Sequence, residues 1–139
     1  LLAGLRDGTI DMIATDHAPH SAEEKAKGLR GSAMGVVGIE TAFPLLYTYL
    51  VETGKMPLEM LIDRMADAPR RRFRIDGGMQ VGDKAAVTVF DLHAQEKIDP
   101  NTFLSKGHAT PFEGWKVHAA CRLTVCGDKI AYNALSRKE

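Results

Sequence analysis

The sequence predicts an α/β fold in two parts, a strand and helices over residues 1–78 and a small β module over residues 79–139. Three observations predict it. Ile10 to Thr15 is a short apolar, β-branched run of the kind found in buried parallel strands. Apolar residues then recur at helical spacing through the forties to the seventies. Beyond Gly78 the period changes to that of strands, with Gly127-Asp128 as a hairpin turn signal.

In chain order, Leu1 to Arg6 reads as the end of an amphipathic helix and Asp7-Gly8-Thr9 as a turn. The Ile10–Thr15 strand ends at Asp16, and Ser21 to Gly38 is a glycine-rich loop. Pro44 is tolerated only in a first helical turn, so a helix should begin near Thr41 and stop at Gly54. Pro57 opens a second helix with Leu58, Leu61, Ile62 and Met65 on one face. Pro69 opens a third, short and basic, with Arg70, Arg71 and Arg72 as a solvated face and Gly77-Gly78 as its stop. Ala86 to Asp91, Trp115 to Cys126 and Lys129 to Asn133 read as strands. Leu92 to Gly114 is a long loop, which in a compact unit is usually functional or packs over something. The chain opens without Met and inside a helix, so it reads as a segment of a longer protein, with neither part complete.

Composition excludes several classes. With 45% hydrophobic and 26% charged residues the chain is a folding sequence. Lys+Arg and Asp+Glu both number 18, which leaves no electrostatic footprint for nucleic acid or an anionic membrane. No apolar run approaches the roughly 20 residues that span a bilayer. Cys121 and Cys126 match no metal-site spacing. In one strand their odd spacing points them to opposite faces, so both read as buried, unpaired thiols of a reducing compartment.

The densest chemistry is Thr15-Asp16-His17-Ala18-Pro19-His20. A carboxylate at the C-terminal end of a buried strand, just before an X-Pro turn, is held rigidly and pointed outward. In α/β barrels that end carries the chemistry. The placement suits a general base or a metal ligand, and it equally suits a turn Asp beside structural histidines.

The stretch from Asp7 to His20, with Glu23-Glu24-Lys25 and Gly35-Val36-Val37-Gly38-Ile39-Glu40-Thr41-Ala42-Phe43-Pro44, resembles the last barrel strand and following loop of the dihydroorotases of the amidohydrolase superfamily. The likeness resumes at Gly78-Met79-Gln80-Val81-Gly82, Ser105-Lys106 and Thr110-Pro111-Phe112-Glu113-Gly114, and so runs over essentially the whole chain. It implies the C-terminal portion of a (β/α)8 TIM barrel followed by a small β-sandwich module. It also implies a cytoplasmic enzyme of pyrimidine biosynthesis that reversibly hydrolyses dihydroorotate to N-carbamoyl-aspartate with one or two zinc ions.

By that resemblance Asp16 is a metal ligand and the acid/base group, His20 contacts the substrate carboxylate, and Met34 and Gly35 touch the substrate ring through their backbone. Gly35 is equally a loop glycine that needs positive φ. His17 matches no ligand position and is assigned to packing or to a supporting place behind a ligand. His93 and His118 are expected at the surface, and the loop around His108 is expected to lean on the barrel. The remaining metal ligands and the carboxylate clamp of the family are expected upstream, in a full-length homo-oligomer. Two other readings stay open: an inactive dihydroorotase-like structural partner of aspartate transcarbamoylase, and a hydantoinase-like hydrolase of another cyclic amide.

Overall fold

A computed structural model of the protein describes residues 1–75 and 79–135. The expected stop at Gly77-Gly78 and the boundary at residue 78 lie outside the described residues. The chain is mixed α/β. Helix α1 (Leu2–Asp7) ends on Gly8 at φ 84°, a left-handed position that glycine adopts freely. Two single-turn helices, α2 (Ala22–Lys25) and α3 (Gly28–Gly31), stand inside the expected loop.

Helix α4 (Ala42–Leu46) starts after Thr41, with Pro44 in its first turn, and runs into a π-helical turn over Tyr47–Val51. Gly54 then turns the chain at φ 69°. Helix α5 (Leu58–Ile62) follows Pro57 and passes through a second π turn (Asp63–Asp67) into α6 (Ala68–Phe73). The expected break at Pro69 therefore does not occur. Pro69 sits in the first turn of α6, where its missing N–H is not needed, and the wider turn before it absorbs its ring. The helix ends at Arg74, in the left-handed conformation at φ 53°, before the glycines.

The Ile10–Thr15 strand is a correction. The segment is in good part half-buried, but no strand of the described residues lies alongside it, and the nearest ladder contact is one parallel bridge between His17 and Val36. Its amides find other partners: Ile10 donates to the Gly4 carbonyl at 2.8 Å and Ile13 to the Arg64 carbonyl at 2.9 Å.

In the second part, β1 (Ala86–Asp91), β4 (Ala120–Cys126) and β5 (Lys129–Asn133) form an antiparallel sheet in the order β1-β4-β5. The short strands β2 (Glu96–Lys97) and β3 (Lys116–Val117) pair separately. The single strand expected over Trp115–Cys126 is broken at Ala119, whose φ is 69°. A bulge opposite Val89/Phe90 breaks the alternation in β4. Cys121 is half-buried and Cys126 exposed, not buried as expected; both are free thiols.

The two parts pack on each other. Phe43 stacks on Phe90 with centroids 4.0 Å apart, and Tyr49 meets the edge of Trp115. His118, expected at the surface, is half-buried; its Nδ1 pairs with Glu52 at 2.8 Å, and its amide donates to Thr48 Oγ1. A core cluster gathers Leu5, Met56 and Leu61, with Ile10, Ile13, Phe43, Leu46 and Met65 against it. Leu58 and Ile62 are not in that cluster, and Ile62 is exposed. Leu61 is 0% exposed, so Leu61→Ala should cost about 2–5 kcal/mol. Urea unfolding of both forms measures it; a shift under about 1 kcal/mol would show that the α1–α5 contact is not a core.

Candidate active site

Three chain segments converge around Asp16 and His20: residues 15–20, the loop 35–40, and the stretch 104–109. Asp16 is exposed and has φ 45°. Few side chains adopt that region; Asp is among those that do, and such positions cluster where function constrains the backbone. After it, Ala18 donates to the Val36 carbonyl at 3.0 Å. Gly35 lies against this segment at φ 122°, and a Cβ there would stand 2.5 Å from Ala18 Cβ and 2.8 Å from its carbonyl oxygen. Only glycine fits that approach, so the packing requirement holds at Gly35 whatever else its backbone does. Met34 points away and is 86% exposed.

Lys25 holds the same loop. Its Nζ donates to the carbonyls of Ala33 and Gly35, both at 2.8 Å, on either side of Met34. Lys25 itself is placed by a capping box: Ser21 Oγ accepts from the Glu24 amide, and the Glu24 carboxylate accepts from the Ser21 amide. The Ser21 amide and then its hydroxyl hold the Glu24 carboxyl below the usual carboxylate range. Its Oε2 also lies 3.6 Å from His20 Nδ1.

His20 lines an open cleft of about 340 Å³ together with Ala22, Lys25, Ala26, His108 and Ala109. The stretch carrying His108 is docked on the site, as expected. Val37 donates to the Ala109 carbonyl at 2.9 Å. Gly107 is buried against His20, where a Cβ would come within 2.8 Å of the His20 amide nitrogen and carbonyl oxygen. Glu40 clamps the same stretch: its carboxylate accepts from the Leu104 amide (2.8 Å), the Ser105 amide (3.0 Å) and the Ser105 hydroxyl (2.6 Å).

Burial pushes the Glu40 carboxyl up, but the Ser105 hydroxyl and the two amides outweigh it and hold the carboxyl below its ordinary value. A lowered folded pKa means that this clamp stabilises fully above the unfolded value, roughly pH 4.3, and that its contribution is lost as pH falls through the lower folded value. The amide NMR signals of Leu104 and Ser105 should therefore shift together in that acid range and not near neutrality. The Glu40→Gln variant should remove the step; amide signals that ignore the substitution would sink this account of the clamp.

The structure thus joins His20 to the His108 stretch and Gly35 to the Asp16 segment, while Asp16 and Met34 do not line the cleft. Glu40, Lys25 and Gly107 were missed as site-builders. Ser21-x-x-Glu24 is a readable capping box and Glu40 stands in the Gly35 to Pro44 motif, but the contact with Leu104 and Ser105, 64 and 65 residues away, leaves no local trace. The arginines lie elsewhere. Arg70 donates to the Ala86 carbonyl and ties helix to sheet, while Arg71 pairs with Asp63 two turns back on the same helical run.

No family model matches the chain. It is 53% identical over 133 residues to the dihydroorotase of Anoxybacillus flavithermus, a match to 95% of this chain and 31% of that protein. The dihydroorotase of Bacillus cereus strain B4264 matches over the same shares at the same identity. Over nearly its whole length this chain is similar to dihydroorotases. It spans about 31% of the length of those relatives. Among solved structures, L-hydantoinase from Arthrobacter aurescens superposes with a TM-score of 0.84 at 31% identity, over 96% of this chain and 31% of that one. D-hydantoinase from a Thermus species superposes at 0.82 with 25% identity, over 96% and 30%. The mixed α/β fold of the segment is therefore a portion of the hydantoinase fold. No helix among the described residues is long and apolar enough to cross a membrane.

Proposed function

We propose that this chain is part of a dihydroorotase that reversibly hydrolyses dihydroorotate to N-carbamoyl-aspartate, as the C-terminal portion of its barrel and of a small β-sandwich. The observation that carries the reading is the 53% identity to dihydroorotases over 95% of the chain, well above the 31% shared with L-hydantoinase. In this reading Asp16 accepts the proton of the attacking water and delivers it to the amide nitrogen as the ring C–N bond breaks. Its exposed carboxylate, on a constrained backbone, suits that shuttle. His20, on the open cleft, holds the substrate carboxylate, and the backbone of Met34-Gly35, braced by Lys25, lies against the ring.

Catalytic zinc wants three protein ligands. Among the described residues no three His, Cys, Asp or Glu side chains converge, so this chain's residues alone do not fit a zinc ion. Asp16 would be the one donor that this segment contributes. The reading as a silent partner of aspartate transcarbamoylase is disfavoured by the intact Asp16 and His20. The hydantoinase-like reading draws on the structural likeness to L-hydantoinase. A substrate panel on the full-length, metal-supplied protein decides between them. Dihydroorotate should give the highest kcat/KM; higher values for hydantoin or dihydrouracil would overturn the assignment.

A further inference from the structure

We propose that His17 is a positioning residue for the Asp16 carboxylate and acts through its Nδ1 as a hydrogen-bond acceptor; this rests on the proposed role of Asp16. The Gly38 and Ile39 amides both donate to His17 Nδ1, at 3.1 and 3.3 Å. A ring nitrogen accepts an N–H through its lone pair, so Nδ1 faces the turn as an acceptor.

Those two amides belong to the turn that enters α4. The same turn presses on the other side of Asp16: a Cβ at Gly38 would lie 2.9 Å from the Thr15 carbonyl oxygen and 3.3 Å from Thr15 Cβ. The backbone of His17 is bridged to Val36 besides. Both neighbours of Asp16 are thus held by residues 36–39, which is what its φ of 45° requires. The turn continues into Glu40, whose carboxylate grips Leu104 and Ser105 and so brings Gly107 onto His20. The His17 ring adds a side-chain link between the proton-transferring segment and that arrangement.

The test compares His17→Asn, His17→Gln and His17→Leu in the full-length protein. Asn places an oxygen acceptor near the position of Nδ1; Gln places it farther out; Leu fills the space and accepts nothing. Loss of the acceptor should lower kcat by about 10–100-fold with little change in KM, as removal of an orienting partner does. Asn should restore most of the loss, and Gln should not. Nitrogen NMR of the wild-type ring should show Nδ1 unprotonated and Nε2 protonated. Hydrogen exchange at the Gly38 and Ile39 amides should speed up in the Leu variant and not in the Asn variant.

A protonated Nδ1, a Leu variant as active as wild type, or an Asn variant as impaired as Leu would overturn the proposal. If the Leu variant does not fold, the Asn–Gln contrast and the ring spectrum decide. If wild type does not turn over dihydroorotate, the reading of function fails, and the ring spectrum and amide exchange still decide whether His17 ties the two segments together.

Discussion

Asp16→Asn in the full-length protein is expected to lower kcat by about 10²–10⁴-fold, the usual worth of a general acid–base group. Asn preserves the shape of the side chain and tolerates positive φ as well as Asp does, so the backbone at φ 45° should be kept. What is lost is the ability to take a proton from water and give it to the departing nitrogen. His20→Ala provides the contrast. If His20 only holds the substrate carboxylate, its removal costs a charge-assisted hydrogen bond, roughly 1.5–3 kcal/mol, felt alike in ground and transition states and therefore in KM. Steady-state kinetics with metal content checked separates the two. Near-normal kcat in Asp16→Asn would remove Asp16 as the base. Loss of kcat and metal together in His20→Ala would make His20 a ligand.

The 139-residue chain by itself is expected to give no turnover at all. Among its described residues no three metal-binding side chains converge, and its cleft offers His20 and His108 over an open surface. The chain should also be only marginally stable. Among the described residues the large fully buried side chains are Leu61 and Val37, while Leu1, Leu29, Met79, Val81 and Leu104 stand in solvent. Cyclisation of carbamoyl-aspartate with added zinc, run beside a melt followed by circular dichroism, checks both statements. Turnover above the buffer blank, or a sharp cooperative transition from a monomer, would contradict them.

Local chemistry made much of this fold legible. Pro44 in a first turn placed the start of α4 at Thr41, Gly54 placed its end, and Gly127-Asp128 gave the β4–β5 hairpin. Most of the failures depend on partners distant in sequence, and the one at Pro69 on a local change of helical turn. Ile10–Thr15 has the composition of a parallel strand, but a ladder needs a neighbour, and no described strand supplies one. Pro69 looked like a break because a tight helical turn cannot hold it; the π turn over Asp63–Asp67 can. The thiols were misplaced because a bulge in β4 cannot be read from alternation. At the site, the motif around Asp16 and His20 stood out by its residue types. Glu40, Lys25 and Gly107 act through backbone groups brought together by folding, so their sequence neighbours do not announce them.

The most direct measurement is a graft. Residues 1–139 would replace the matching segment of the Bacillus cereus dihydroorotase, whose own residues would supply the rest of the site. If this segment carries Asp16 and His20 for that reaction, the metal-loaded chimera should turn over dihydroorotate within about tenfold of its parent, a difference of about 1.4 kcal/mol in the barrier. The Asp16→Asn chimera should lose that activity. A chimera that folds and loads metal yet leaves dihydroorotate untouched would contradict the account.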